Sequence, residues 1–193
     1  MAATSTMLPL GTELPAFKLT DVRTGDVMSS DDFTQSAMVV MFICNHCPYV
    51  KLIQQGLVAF GRDYAERSVD IVGIASNDAE AYPEDGPEDL AMVADALGYA
   101  FPILYDESQE VARAFTAACT PDFFVFDSDR RLAYRGQFDA ARPGNGVEVT
   151  GESLRAAVDA LVGGETVPVE QRPSMGCSIK WKAGGMTIGR GSG

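Results

Sequence analysis

Residues 41–51 read Met41–Phe42–Ile43–Cys44–Asn45–His46–Cys47–Pro48–Tyr49–Val50–Lys51. The run 37–43 is continuous, apolar and partly β-branched, the pattern of a strand buried on both faces. After it, Leu52, Ile53, Leu57, Val58 and Phe60 recur at helical spacing over residues 50–61. Pro48 is tolerated only in a helix's first turn. Two cysteines with two residues between them therefore fall on a strand-to-helix turn, an arrangement expected of a dithiol that opens and closes a disulfide. A thiolate there meets unpaired backbone N–H groups and the positive end of the helix dipole. Both lower its pKa and make it the nucleophile of disulfide exchange. The order predicts Cys44 as the attacking, more acidic thiol and Cys47 as the resolving thiol. The plainer alternative is a pair of buried structural cysteines.

Working outward, residues 70–76 read as the next buried strand, so residues 37–76 form a right-handed βαβ unit. On the N-terminal side, 17–20 and 27–29 flank the turn signal Thr24–Gly25–Asp26 and predict a hairpin. On the C-terminal side, residues 77–89 form a loop with six acids: Asp78, Glu80, Glu84, Asp85, Glu88 and Asp89. The simplest reading of that loop is a solvated face. Helices are expected over 87–97, 107–115 and 153–162, and strands over 101–104, 123–126 and 132–134. Cys119–Thr120–Pro121–Asp122 is a turn. From residue 171 the chain is Gly-rich and carries Arg172, Lys180, Lys182 and Arg190 without an acid. The expected organisation is one domain over 1–170 and a basic tail over 171–193.

A length of 193 residues with 46% apolar content suits a single domain with a sizeable core. A formal net charge of −12 argues against nucleic acid or an anionic membrane as partner. The first ten residues lack a basic n-region and an apolar h-region, and no apolar run approaches a membrane span. A soluble, cytoplasmic protein is expected. In that reducing setting four cysteines, Cys44, Cys47, Cys119 and Cys177, are catalytic, redox-sensing or core residues rather than a scaffold of disulfides. The acidic loop lacks the spacing of a calcium loop, and Gly144–Asn145–Gly146 is a turn rather than a phosphate cradle. No cofactor is expected.

The order strand, Cys-x-x-Cys helix, strand, helix, Thr–Pro, hairpin, helix resembles the thioredoxin fold. The N-terminal hairpin and the additional helix over 87–97 resemble its peroxiredoxin-like, AhpC/TSA-type branch. The resemblance covers about residues 8–165. It is carried by Cys44–Asn45–His46–Cys47–Pro48, Asn77–Asp78, Tyr82–Pro83–Glu84–Asp85, Thr120–Pro121–Asp122–Phe123–Phe124 and Gly176–Cys177–Ser178–Ile179–Lys180–Trp181. It implies an α/β, thioredoxin-like fold: a central mixed sheet flanked by helices, with an N-terminal hairpin, an inserted helix and a C-terminal tail. It also implies that Pro121 is cis and faces the dithiol, with Thr120 and Pro121 offered to a bound substrate. His46, the only histidine, is then placed to stabilise the Cys44 thiolate; the alternative is a solvent-exposed loop histidine.

The same resemblance sets limits. Peroxidase chemistry in that branch uses Pro-x-x-x-Thr/Ser-x-x-Cys. Aligned on Cys47, those positions hold Val40 and Cys44; aligned on Cys44, they hold Ala37 and Met41. The buried aspartate that thioredoxin carries six residues before its first cysteine is Met38 here. The preferred reading is a thiol–disulfide oxidoreductase acting on a protein or small-molecule disulfide or thiol partner. A thiol peroxidase of unusual site and a redox-sensing module are the alternatives. A zinc site built on Cys44, Cys47, His46 and a distant thiol is a further rival, but a second closely spaced ligand pair is missing, and no metal is expected. If the basic tail folds back over the acidic loop, Cys177 becomes a possible third thiol, with Ile179 and Trp181 as apolar anchors. Otherwise those two side chains only cover a core edge. Cys119 is either core or a neighbour of the dithiol.

Overall fold

The computed structural model describes residues 2–183. Arg190 and the remainder of the expected tail, residues 184–193, lie outside the described residues. In chain order the strands and helices are β1 Ala2–Thr4, β2 Lys18–Asp21, β3 Val27–Ser29, β4 Ala37–Phe42, α1 Pro48–Tyr64, β5 Val69–Ala75, α2 Pro87–Leu97, β6 Ile103–Tyr105, α3 Glu110–Ala114, β7 Cys119–Thr120, β8 Asp122–Phe126, β9 Leu132–Gly136, α4 Glu152–Val162 and β10 Met175–Ser178. The first seven-strand sheet has the order β3-β2-β6-β5-β4-β8-β9. Its centre, β4–β5–β6, is parallel, while β2 and β8 join it antiparallel. This is the mixed sheet of a thioredoxin-like α/β fold.

The unbroken apolar run of β4 has a direct cause. Ala37, Val39 and Met41 face a core shared with α1, α2 and α4, through residues such as Ile53, Leu57, Leu90 and Val158. Met38, Val40 and Phe42 face a second core with Phe17, Phe33, Phe115 and Phe124. With both faces covered, no position is left for a polar residue. The strand therefore arrives rigidly at Cys44.

Some predicted boundaries shift. α3 starts at Glu110 rather than 107 because the buried Asp106 carboxylate accepts the Ala112 N–H at 2.9 Å, which holds the preceding residues outside the helix. α1 runs on to Tyr64, past the residue 61 at which its apolar spacing ends. Three strands have no counterpart among the predicted ones: β1, β10 and the two-residue β7, expected as part of a turn. They form a small antiparallel sheet of order β1-β10-β7. Chain from the compositionally distinct stretch after residue 170 is thus woven beside Thr120. Ile179 is buried against the second core, with Trp181 packed at its margin. The tail does meet the acidic loop, but by hydrogen bonds rather than charge. Asp78 N–H donates to the Lys180 carbonyl at 2.9 Å, and Lys180 N–H donates to Asn77 Oδ1 at 2.8 Å.

β8 and β9 carry a fully buried ion pair, Arg135–Asp122, at 3.2 Å. Ser5 Oγ donates to the other Asp122 oxygen at 3.0 Å, and Arg135 also donates to the Thr116 carbonyl at 2.9 Å. Burial pushes the Asp122 carboxyl above the usual range, although Arg135 pulls it down. Removing one partner of such a pair strands a charge in the core. Asp122→Ala is expected to cost about 3–5 kcal/mol of folding free energy, read from urea denaturation. A loss below about 1 kcal/mol, the size of a surface pair, would show that the pair is not structural.

Candidate active site: a dithiol beside Thr120

β4 ends at Phe42, and the last ladder bond runs from Ile43 N–H to the Ile74 carbonyl at 3.0 Å. Four residues later Cys47 is the N-cap of α1, with Pro48 in the first turn. The residues between must reverse direction without a strand or helix partner for their backbone. Asp85 supplies that partner. One of its oxygens accepts the Asn45 and His46 N–H groups at 2.7 and 3.2 Å. The other accepts His46 Nδ1–H at 2.5 Å and Asn77 Nδ2–H at 2.8 Å. Asn45 Nδ2 donates to the Glu84 carbonyl at 2.8 Å. Asp85 is fully buried, and these donors replace the water its carboxylate has lost.

The expectation of a solvated acidic face therefore fails at Asp85. A short 3-10 turn, Pro83–Asp85, aims its carboxylate inward under the dithiol. His46 is likewise not a free loop histidine. Its ring stacks on Tyr82 at 4.8 Å and 20°, and Lys180 Nζ lies 5.6 Å from the Tyr82 ring centre. Since Nδ1 donates to Asp85, Nε2 is the free ring nitrogen.

Both sulfurs converge on one residue of β7. Cys44 Sγ lies 3.1 Å from Thr120 Oγ1, and Cys47 Sγ–H donates to the Thr120 carbonyl at 3.1 Å. The Thr120–Pro121 peptide is cis. Cys44 and Cys47 are both buried. Cys177, in β10, is directly opposite Thr120 in register and packs at the margin of the core that holds Cys44 and Cys47. The structure therefore brings together Cys44, His46, Cys47, Thr120, Pro121 and Cys177. Cys119, by contrast, donates to the Pro121 carbonyl at 3.6 Å, and burial raises its pKa.

The two sulfurs act on each other, and their pKa values are driven apart. Cys47 is pulled down by its interaction with Cys44, with Cys177 and the Val50 backbone acting in the same sense. Cys44 is pushed up by its interaction with Cys47, by burial and by the Asp85 carboxylate. That direction is opposite to the expected order, in which Cys44 is the more acidic thiol. Thr120 opposes it: its carbonyl keeps a proton on Cys47, and its hydroxyl lowers the Cys44 pKa. The pair accordingly titrates as a unit, losing one proton easily and holding the second.

The metal-ligand atoms of Cys44, His46 and Asp85 all lie within 4.8 Å of one another. The His46 and Asp85 atoms are already bonded to each other, so a cation there would have to break the bond that orders the turn.

Comparison with known proteins adds the lineage. The model of the AhpC/TSA family matches residues 10–135. The chain belongs to that family. Among solved structures, this AhpC/TSA-family chain is similar to an uncharacterized conserved protein from Geobacillus kaustophilus, with 56% identity and a TM-score of 0.93 over 95% of this chain and 97% of that one. It is also similar to a hypothetical protein from Sinorhizobium meliloti 1021, with 50% identity and a TM-score of 0.92 over 94% and 99% of the two chains. A putative thiol:disulfide interchange protein DsbE from Chlorobium tepidum, 19% identical, shares the fold at a TM-score of 0.62 over 81% of this chain and 99% of that one. A search of curated proteins returned no match. Among the described residues no helix is long and apolar enough to cross a membrane.

Asp85, Asn77 and Tyr82 were not singled out as site residues from sequence. The signal available was Pro83 and Pro87 bracketing Asp85, a rigid turn just past a parallel strand. Thiolate absorbance measured against pH should show one proton leaving the dithiol below the ordinary thiol range and the second above it. Thr120→Val removes the hydroxyl on Cys44 and is expected to move the first step upward. An unmoved step would place the first charge on Cys47.

Proposed function

We propose that this protein is a thiol–disulfide oxidoreductase that works through the Cys44/Cys47 dithiol. The observation that carries the reading is the pair of sulfurs at the start of α1, both anchored on Thr120. Cys44 is assigned the attack because the His46 ring borders it and the Thr120 hydroxyl lowers its pKa. A Cys44 thiolate attacks one sulfur of a substrate disulfide, whose S–S bond breaks and releases a thiolate. Cys47 then attacks Cys44 Sγ, the mixed disulfide breaks, and the second substrate thiol departs. Two electrons pass from the dithiol to the substrate; run in reverse, the same steps oxidise a substrate dithiol. His46, steered by Asp85, offers a positive group to the Cys44 thiolate when protonated. The partner is a protein or small-molecule disulfide or thiol, and the setting is a reducing compartment such as the cytoplasm, where such thiols persist.

Family membership favours a thiol peroxidase as the second reading. In that case Cys44 attacks a peroxide oxygen, becomes a sulfenic acid and is closed by Cys47 with loss of water. The positions that would hold the peroxide are Val40, Ala37 and Met41, and the buried Arg135 is committed to Asp122 and Thr116.

Turnover of insulin or glutathione disulfide is expected in the wild type and lost in both Cys44→Ser and Cys47→Ser. Stopped-flow oxidation by hydrogen peroxide should be slow by comparison; fast peroxide reduction with no disulfide turnover would replace the first reading by the second. Replacing His46 by Ala should lower the reduction potential, because a thiolate that loses a positive neighbour makes the reduced form less stable. Each 30 mV shift is about 1.4 kcal/mol for a two-electron couple.

A further inference from the structure

β10 brings a third sulfur to the dithiol by a route that admits one kind of residue. In the β10–β7 register Cys177 faces Thr120, the residue that holds both dithiol sulfurs. A Cβ built on the preceding Gly176 would lie 2.0 Å from the Thr120 carbonyl oxygen. Any other residue there would push the strand away from Thr120, so the glycine sets how close Cys177 comes. The strand is also fixed on its far edge and at its end. Ala2 of β1 pairs with Cys177, Ile179 N–H donates to the Ala118 carbonyl at 3.2 Å, and Ile179 is buried. Cys177 packs at the margin of the core that holds Cys44 and Cys47, and of the two it is Cys47 whose pKa it lowers.

We propose that Cys177 is a third redox-active thiol that takes the disulfide from Cys44–Cys47 and forms a Cys47–Cys177 bridge. The proposal rests on the oxidoreductase reading of the dithiol. A Cys177 thiolate attacks Cys47 Sγ in the Cys44–Cys47 disulfide. That S–S bond breaks, the Cys47–Cys177 bond forms, and Cys44 leaves as a thiolate. The proton given up by Cys177 goes to solvent or to Cys44, and no net oxidation occurs. In the reduced protein burial, and then the hydrogen bond to Cys47, hold the Cys177 thiol up at about 11; oxidation of Cys47 removes the second of these. Lys180, three residues further on, acts in the lowering direction. The result is an oxidised protein whose Cys44 is again free to attack.

The test is mild oxidation of dilute protein with one molar equivalent of diamide, then alkylation and non-reducing peptide mapping. Cys44→Ser should form an intramolecular Cys47–Cys177 bridge, and wild type should show that bridge alongside Cys44–Cys47. Gly176→Ala should lose the Cys47–Cys177 bridge while Cys44–Cys47 still forms. If Cys177 is fully alkylated in Cys44→Ser and in oxidised wild type, or is bridged only between molecules, the proposal is overturned while the dithiol reading stands. A bridge unchanged in Gly176→Ala overturns delivery by the strand. If Cys44–Cys47 itself neither forms nor turns over disulfides, the underlying reading falls instead.

Discussion

A carboxylate with no access to water must be surrounded by donors, and much of this site follows from where the donors of Asp85 lie. Two are the backbone N–H groups of the turn between the cysteines, one is the His46 ring and one is the Asn77 amide. Asn77 in turn accepts the N–H of Lys180. One buried charge therefore ties the loop after β5, the dithiol turn and the C-terminal segment into a single unit. Without it the turn would present two unpaired N–H groups to a closed interior, each a cost of about 1–3 kcal/mol. The acidic residue also sets a tension. It orients the His46 ring beside Cys44, and it opposes a negative charge on Cys44.

Thr120 is the second fixed point. A single residue supplies a hydroxyl to one sulfur and a carbonyl to the other, so the electrostatics of the pair depend on one peptide's placement. That placement comes from the large sheet, since β8 begins at Asp122 and pairs with β4 from Met38 to Phe42. The strand that delivers Cys44 and the strand that follows Thr120 are thus neighbours in the same ladder. Rigidity of the core is transmitted directly to the sulfurs, as a preorganised site requires.

The parts of this picture legible in the sequence were those written in local pattern. The all-apolar β4, the helix start at Pro48, the hairpin around Gly25 and the helix over Pro87–Leu97 each carry a period or a punctuation mark that survives without tertiary context. The cis Thr120–Pro121 turn came from the resemblance, and the approach of Cys177 from the opposite charges of the tail and the acidic loop, although hydrogen bonds make that contact. What stayed hidden was set by long-range pairing. Met175–Gly176–Cys177–Ser178 has no alternation and a central glycine, so nothing local marks it as a strand; its partners lie at the other end of the chain and beside the active site. Asp85 was hidden for a different reason. Among six nearby acids, only the direction of a short turn distinguishes the one that is buried, and side-chain direction is not a property of composition.

The small sheet joins the two ends of the described chain, with β10 lying between β1 and β7. Such a pairing has the longest loop to close and so tends to form late in folding. During synthesis the dithiol, Thr120 and the large sheet emerge well before β10 does. For that interval the outer edge of Thr120 is bare and the two thiols lack their third neighbour. The mature arrangement differs: that edge is paired with the chain's own β10. The nascent and the finished protein thus present different faces to other thiols, and the change between them is timed by the arrival of a single four-residue strand.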